Sequence, residues 1–194
     1  MRLRSDRLEI RMIASADADF VESLYANPQV TRTLLRIQRP LSAKEAREFC
    51  QMSAAACGDH RLVAALPADR RLIALGSVRT HPEVPSVVSI GYSVLPEYWG
   101  QGLGTELAAL LVRFAIVALS AFEVRATTLD DNSASARVLE KLEFTVMEAG
   151  VSEIDSRGDE RRVTRWAFHR PSPQLPWAAE QQVRADQLDA GRSA

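Results

Sequence analysis

The sequence predicts one α/β domain, built on a central mixed sheet that helices cover. Two observations predict this fold: strand-like segments follow one another in the middle of the chain, and helical and strand-like segments alternate in its second half. The 194 residues suit a single domain and are enough to bury a core. A content of 46% hydrophobic and 25% charged residues is ordinary for a globular protein and argues against disorder of the whole chain.

The N-terminal part predicts one strand and then two helices. Residues 8–12 alternate between apolar and polar side chains, as a half-buried strand does. Acidic residues follow Ser15, as they do at the start of a helix, and Asn27-Pro28 ends that helix. Ser42 and Glu45 have the spacing of a capping box, which predicts the start of the second helix.

The middle of the chain predicts three consecutive strands, at 61–66, 71–78 and 87–94, with a turn at 67–69 between the first two. The third strand has one face of large side chains and one face that is mostly small. The large face carries Val88, Ile90, Tyr92 and Val94, and the other carries Val87, Ser89, Gly91 and Ser93. A face of small residues allows close approach to the backbone.

The second half predicts alternating helices and strands that end in a long hairpin. The helices are at 105–119, which is apolar almost all round, and at 133–142; the strands are at 122–129, 144–154 and 161–169. We therefore expect one domain over residues 1–170. Residues 171–194 begin with three prolines and become polar and Ala-rich, which predicts a tail made of a linker and a terminal helix.

Charge and apolar patterning argue against several classes of partner. A net charge of −1 provides no global basic field for nucleic acid or an anionic membrane surface. No apolar run approaches the roughly 18 residues of a membrane span, and the N-terminus lacks the apolar core of a secretory signal. We therefore expect a cytoplasmic protein. Cys50 and Cys57 have no nearby His pair, which predicts buried thiols and no metal site.

A Gly-rich turn joins the small-faced strand to the apolar helix. Its residues are Trp99, Gly100, Gln101, Gly102, Leu103 and Gly104, followed by Thr105. The first N–H groups of a helix have no partner inside it, and glycines leave room for a ligand, so the turn predicts an anion cradle suited to a pyrophosphate. The pattern matches neither the dinucleotide fingerprint nor a P-loop, and by itself it also fits a tight connection that binds nothing.

Two segments around this turn resemble the motifs of the GNAT acetyltransferases. Residues 90–106 (IGYSVLPEYWGQGLGTE) resemble motif A, and residues 131–144 (DNSASARVLEKLEF) resemble motif B. The opening at 7–11 (RLEIR) is similar to that of the ribosomal-protein N-terminal acetyltransferases, the RimJ/RimL-type branch. The resemblance covers roughly residues 3–169. It implies a mostly antiparallel sheet with helices on both faces and a splayed strand pair that binds acyl-CoA.

The resemblance also implies which residues hold acetyl-CoA. Main-chain N–H groups of the turn would bind the pyrophosphate, from Trp99 through Thr105, and pantetheine would bond to the main chain near Val94 and Leu95. Asn132 would contact the coenzyme and could also cap its helix. Trp99 stands where the family usually has Gln or Arg. Glu143 replaces the usual Gly after motif B, which predicts a left-handed, strained residue.

The implied reaction moves the acetyl group of acetyl-CoA to a primary amine by direct attack, with no metal. Ser135 is the candidate general acid, although a Ser in the first turn of a helix can instead bond to the backbone. The Val94 N–H would stabilise the oxyanion. Many relatives carry a Glu that acts as the general base where this chain has Ser89. The candidate bases here are therefore His81, Glu83, Glu97, Tyr98 or an ordered water.

The acceptor is the most open part of the prediction. A protein N-terminus is the first expectation; the alternatives are a small amine, such as an amino acid, a polyamine or an antibiotic, and a non-catalytic acyl-CoA sensor. Another acyl donor would fit the same cradle. Arg32, Arg36 and Arg39 lie where the family builds its acceptor wall and would attract an acidic acceptor, unless they form only a solvated loop. A homodimer is a further expectation.

Overall fold

The computed structural model describes residues 2–37, 39–51 and 58–169, and within these ranges eight strands form one sheet. The strands are β1 (Arg2–Arg4), β2 (Glu9–Met12), β3 (Asp59–Ala65), β4 (Leu72–Thr80), β5 (Val87–Val94), β6 (Glu123–Leu129), β7 (Thr145–Ile154) and β8 (Glu160–His169). Their order across the sheet is β1-β2-β3-β4-β5-β6-β8-β7. Only the β5–β6 pair among these described strands is parallel, which confirms a mixed, mostly antiparallel sheet. Cys57 and the predicted tail at 171–194 lie outside the described residues.

Helices cover both faces of this sheet. They are α1 (Ala18–Ala26), α2 (Pro28–Thr31), α3 (Ala43–Gln51), α4 (Leu103–Leu119) and α5 (Ser133–Lys141), with short 3-10 turns at Ser15–Asp17 and Pro96–Tyr98. The predicted capping box is present, because Ser42 N–H donates to Glu45 Oε2 at 2.9 Å and Glu45 N–H donates to Ser42 Oγ at 3.3 Å. No helix in the described ranges is long and apolar enough to cross a membrane.

The predicted elements differ from the structure in three details. The three-residue strand β1 is absent from the prediction, because three residues are too few to establish an alternating pattern. Helix α4 begins at Leu103 rather than Thr105, since its N-cap is Gly102 in the left-handed conformation. Helix α4 is apolar almost all round, which predicts burial on several sides. Its C-terminal end departs from this prediction, because Val117 is 49% exposed.

The core consists of two apolar layers, one on each face of the sheet. The larger layer packs α4 and α5 against the sheet, and the smaller one packs α1 and α3 against the other face. Leu107 and Leu111 of α4 are fully buried and each contributes about 1.5–3 kcal/mol by leaving water. The helix approaches so closely that a Cβ added at Gly76 would lie 2.6 Å from Leu111 Cδ2.

The sheet is open in its middle, between β5 and β6. Their pairing covers only Val87–Ser89 against Glu123–Arg125, whereas β4 follows β5 to Val94 and β8 follows β6 to Leu129. The Leu95 N–H donates to Ile73 O at 2.9 Å on the β4 side. Because the hydrogen-bonding direction alternates along a strand, the backbone groups of the even-numbered residues 90, 92 and 94 point into the gap. The expected splayed strand pair is confirmed.

The chain leaves α5 through a left-handed residue. Glu143 has φ of +61°, as its position at the end of motif B predicts. A non-glycine residue is strained in this conformation by about 1 kcal/mol. The substitution therefore affects stability, and Glu143 lies outside both cavities described below.

Candidate functional site

A cavity of about 480 Å³ lies in the gap between β5 and β6. This volume is within the usual range for a ligand site. Its walls come from 90–94 of β5 and 126–129 of β6, from the start of α5, and from Val30 and the loop after α2. Nine of the residues predicted for the site line it: Val94, Tyr98, Trp99, Gly100, Gly102, Gly104, Thr105, Asn132 and Ser135.

The Gly-rich turn closes one end of this cavity. Gly100 has φ of +74° and Gly102 has φ of +79°, which is the region that favours glycine. At Gly100 an added Cβ would meet nothing within 4 Å, so the requirement there is conformational. Gly104 has ordinary helical geometry and faces α5, where an added Cβ would lie 3.8 Å from Val138 Cγ2. The turn therefore leads into the N-terminus of α4, where N–H groups without helical partners suit an anion.

Trp99 ties the turn back to the strand from which it came. Its indole Nε1–H donates to Val94 O at 2.7 Å, while the ring lines the cavity. The Gln101 side-chain amide donates to Glu97 O at 3.0 Å within the same turn. A Trp at this position thus replaces the usual polar residue with a structural hydrogen bond.

The loop between β1 and β2 also holds the turn, through Glu106 in the first turn of α4. Its carboxylate accepts hydrogen bonds from Ser5 Oγ at 2.6 Å, from Arg7 N–H at 2.8 Å and from Arg7 Nε at 2.9 Å. Arg7 Nη1 donates in turn to Gln101 O at 2.9 Å. Burial alone would raise the pKa of Glu106, but the hydrogen bonds from Ser5 and Arg7 outweigh it and lower that pKa.

A pair of hydroxyl groups lies at the centre of the cavity. Tyr92 OH is 2.9 Å from Ser135 Oγ, and Asn132 Oδ1 accepts a hydrogen bond from Ser135 N–H at 3.1 Å. Asn132 is therefore the N-cap of α5, as expected. Burial raises the pKa of Tyr92 to about 12, although the bond to Ser135 opposes the rise. Tyr92 is therefore protonated near neutral pH, and its hydroxyl is able to form a hydrogen bond with Ser135 Oγ.

Sequence reasoning missed Tyr92 as a site residue. Tyr92 and Ser135 are 43 residues apart, and no local pattern brings them together. The one available signal was the large face of β5, which placed Tyr92 beside residues that turned out to be core. A hydroxyl on an otherwise apolar strand face needs a partner, and that requirement pointed to a polar neighbour.

His81 does not reach the cavity. Its N–H donates to Val87 O at 2.9 Å, and its Nδ1 accepts from the N–H groups of Glu83 and Val84 at 3.3 and 3.2 Å. It therefore lies at the end of β5 opposite Val94, about 23 Å away along the strand at 3.3 Å per residue. The proposal of His81 or Glu83 as the base does not fit this geometry.

Other predicted residues belong to the frame of the site rather than to its lining. Leu95 bonds through its N–H to β4, and Leu103 is 4% exposed within the core. Glu97 is exposed on the outer side of the turn and lies 3.6 Å from Arg71 in an ion pair. Gln101 faces outward, between Arg7 and Glu97. Among the base candidates with described positions, Tyr98 alone lines the cavity.

A second cavity, of about 620 Å³, adjoins the first and shares Thr33, Trp99, Asn132 and Ala134 with it. It lies between α2, the start of α5 and the turn from β7 to β8. Its charged lining residues are Arg32, Asp131, Arg157 and Arg161. Arg36 is exposed outside both cavities, and Arg39 is paired with Glu45, so only one of the three arginines expected in the acceptor wall lines a cavity.

The comparisons with known proteins agree with this architecture. The family described as "Acetyltransferase (GNAT) domain" matches residues 7–145 of the chain. Over 146 residues the chain is 29% identical to the uncharacterized N-acetyltransferase YoaA of Bacillus subtilis (strain 168), which covers 73% of this chain and 81% of that protein.

Two solved structures illustrate the shared fold. The spermidine N-acetyltransferase from Vibrio cholerae, in complex with CoA and spermine, has a TM-score of 0.75 at 18% identity and covers 85% of this chain and 96% of its own. The ribosomal-protein-S5-alanine acetyltransferase from Vibrio fischeri has a TM-score of 0.73 at 15% identity, with coverages of 87% and 96%. Since the family match spans most of the chain and includes the Gly-rich turn, this chain belongs to the GNAT acetyltransferases, enzymes that transfer the acetyl group of acetyl-CoA to an amine.

Proposed function

We propose that this enzyme acetylates the N-terminal amine of a polypeptide, as a member of the RimJ/RimL-type branch. The observation that carries the proposal is the second cavity, which adjoins the gap in the sheet and is lined mostly by exposed residues. An open groove accommodates a chain that continues beyond its reacting amine, whereas a small amine is better held by an enclosed pocket. The opening at 7–11 supports the branch, and so does Trp99, because the resemblance implies that a Trp is common at this position in that branch. The S5-alanine acetyltransferase shares the fold.

In this proposal acetyl-CoA occupies the gap between β5 and β6. The pyrophosphate lies against the main-chain N–H groups that run from Gly100 to Thr105, where the positive end of α4 favours an anion. The Trp99 N–H is not among them, because it donates to Pro96 O at 3.0 Å. The pantetheine arm bonds to the β5 backbone groups that point into the gap, and the thioester carbonyl lies near the Val94 N–H. That N–H polarises the carbonyl and stabilises the oxyanion formed on attack.

The amine attacks the thioester carbon from the side of the second cavity. After the tetrahedral species collapses, the coenzyme A sulfur leaves as a thiolate and takes a proton. Ser135 Oγ is the proposed donor to the sulfur, and Tyr92 OH returns a proton to Ser135 across their 2.9 Å contact. The proton released by the attacking amine then restores the Tyr92 hydroxyl through solvent. The hydroxyl groups of Ser135 and Tyr92 therefore share the role of general acid. Ser135 faces the sulfur in this proposal, and Tyr92 supplies Ser135 with a proton.

Removal of the proton from the attacking amine falls to an ordered water or to Tyr98. The His81 imidazole and the carboxylates of Glu83 and Glu97 lie outside the main cavity, whereas Tyr98 lines it. A water relay to solvent is compatible with the open groove, since an N-terminal amine has a pKa near 8 and is already partly neutral.

The test is acetyl-CoA turnover, followed by thiol release, against N-terminal peptides and a panel of amino acids, polyamines and aminoglycosides. We expect peptide acceptors to give the highest kcat/KM, and mass spectrometry to place the acetyl group on the α-amine. Faster turnover of a small amine would favour the alternative substrate class. Binding of acetyl-CoA without turnover of any amine would favour a sensor and contradict the proposal.

A further inference from the structure

We infer that Arg137 and Lys141 of α5 bind the ribose 3′-phosphate of coenzyme A, so that the enzyme distinguishes acetyl-CoA from acyl donors that lack this phosphate. The inference concerns the acyl donor and does not depend on which amine is the acceptor. Both side chains line the main cavity, together with the Gly-rich turn that would hold the pyrophosphate. Among the residues that the structure describes, they are the only charged residues in that lining.

One face of α5 lies toward the cavity and carries both cations. Ala134, Val138 and Lys141 line the cavity with the spacing of a single helix face, and Arg137 lies beside Val138. The Gly-rich turn packs against this face, because a Cβ added at Gly104 would lie 3.8 Å from Val138 Cγ2. The guanidinium and the ammonium group therefore belong to the same end of the cavity as the turn.

Neither cation is neutralised by the protein. Within the described ranges neither forms an ion pair, and the one side-chain hydrogen bond of Arg137 runs from its Nη1 to Ser133 Oγ at 3.4 Å. Side chains four residues apart on a helix are neighbours, and two like charges at this spacing repel each other. An anion bound between Arg137 and Lys141 would replace this repulsion with two attractions.

The phosphate groups of coenzyme A differ in what they need from a protein. The pyrophosphate already has donors, because the main-chain N–H groups of the turn and the positive end of α4 suit it. The 3′-phosphate is a monoester, which carries about −1.5 to −2 charges at pH 7 and three strong acceptor oxygens. A guanidinium binds such a group through two parallel hydrogen bonds, and an ammonium adds a compact charge. The unpaired cations on α5 therefore match the 3′-phosphate.

A structural role accounts for only one of the two residues. Lys141 is in the last turn of α5, where a cation interacts favourably with the negative end of the helix dipole. Arg137 precedes that turn and gains little from the dipole. A structural role changes the free energy of unfolding without ligand, whereas phosphate binding changes the affinity only for a ligand that carries the phosphate. The experiment therefore measures both quantities.

The experiment is calorimetric titration of the full chain with coenzyme A and with 3′-dephospho-coenzyme A, in the absence of any amine. We expect the wild type to bind coenzyme A about tenfold more tightly, a modest factor because both side chains are exposed and water screens their attraction. Arg137→Gln and Lys141→Gln should each weaken coenzyme A binding about threefold and leave the Kd of the dephospho ligand unchanged. The double variant should bind the two ligands equally, and a rise in salt should narrow the wild-type difference.

Two control variants accompany these measurements. Arg36→Gln removes the same charge from an exposed residue that lines neither cavity, so it should change neither Kd. Arg137→Lys keeps the charge but loses the planar fork, so it should retain part of the preference for coenzyme A. Urea unfolding without ligand measures the stability of each variant.

Three results would overturn the assignment. Equal binding of the two ligands by the wild type means that the 3′-phosphate is not recognised. A preference that survives in the double variant assigns the recognition to another group. Parallel weakening of both ligands, with or without a loss of stability, places the two cations at the pyrophosphate or in the frame of the site. These results leave the choice of acceptor untouched, because no amine is present, whereas a failure to bind coenzyme A at all contradicts both the inference and the proposed function.

Discussion

The carboxylate of Glu106 provides the sharpest test of how the fold supports the coenzyme site. Its three hydrogen bonds connect the loop between β1 and β2 to the first turn of α4, and Arg7 also donates to Gln101 O. Replacing Glu106 with Ala removes an acceptor from Ser5 and from the backbone and side chain of Arg7. The turn then loses a support outside the cavity, without any change in the residues that line it.

The size of the effect follows from the exposure of the partners. A hydrogen bond to a charged group contributes about 1.5–3 kcal/mol, but the Arg7 side chain is 52% exposed and water replaces much of its share. We therefore expect Glu106→Ala to lower the free energy of unfolding by about 2–3 kcal/mol. For a domain of this size that corresponds to a Tm lower by roughly 4–12 °C. The acetyl-CoA KM should rise about five- to tenfold at unchanged saturated kcat, because the loss is in binding.

Glu106→Gln separates charge from shape and gives a pH dependence with a definite sign. The pKa of Glu106 is lowered in the folded protein, so its contribution is present above the unfolded pKa of about 4.3 and is lost as pH falls through the folded value. The stability difference between wild type and Glu106→Gln should therefore shrink below about pH 4. Urea denaturation across pH 3–7 measures it.

The control is Glu9→Gln, which breaks ion pairs with Arg2 and Arg4 on the same N-terminal strands. Among the residues that the structure describes, the Glu9 side chain pairs with Arg2 and Arg4 and forms no hydrogen bond or ion pair with the turn. This variant should therefore leave the acetyl-CoA KM unchanged. If Glu106→Ala lowers the Tm but its KM for acetyl-CoA equals that of Glu9→Gln, the N-terminal strands stabilise the domain without shaping the coenzyme site, and the reasoning fails.

Four other substitutions test three separate parts of the structure. Tyr92→Phe should lower kcat by about 10²-fold with little change in the acetyl-CoA KM, since it removes a proton donor; single-turnover kinetics would contradict this if the chemical step kept its rate. Gly102→Ala should cost about 1–2 kcal/mol because of its positive φ, whereas Gly104→Ala should keep the Tm and raise the acetyl-CoA KM; equal Tm losses would refute the distinction. Asp17→Asn should cost about 2–4 kcal/mol near neutral pH, because the hydrogen bonds from Arg11 and from a backbone N–H outweigh burial and lower the Asp17 pKa. That loss should fade on acidification below about pH 4, as measured by urea unfolding.

The sequence was sufficient wherever local chemistry decides the structure. The capping box at Ser42, the end of α1 before Pro28 and the left-handed Glu143 all depend on residues within one turn of the chain. Glycines at 100 and 102 likewise adopt the conformations that a Gly-rich turn predicts. The splayed strands, in contrast, were expected only through the resemblance to a family, because no pattern within a strand shows where its neighbour leaves it.

The parts that sequence could not predict all depend on contacts between distant segments. Tyr92 meets Ser135, Arg7 meets Glu106, and Arg157 reaches the same groove as Arg32 only after the sheet has brought the hairpin beside α2. The acceptor wall shows the same limit. The positive charges of Arg36 and Arg39 are visible in the sequence, but the positions of their side chains are not. In the structure Arg39 forms an ion pair with Glu45, and neither arginine lines a cavity.

The gap between β5 and β6 gives the coenzyme a structural role in the sheet in addition to its role as substrate. Beyond Ser89, strand β5 is paired with β4 on one side only as far as Val94. A bound pantetheine arm would therefore complete the sheet on the other side, as an added strand does. A ligand at 100 times its Kd adds about 2.7 kcal/mol to the free energy of unfolding. We therefore expect proteolytic lifetime, and with it cellular abundance, to follow the supply of acyl-CoA, so that a cell depleted of its substrate also retains less of the enzyme.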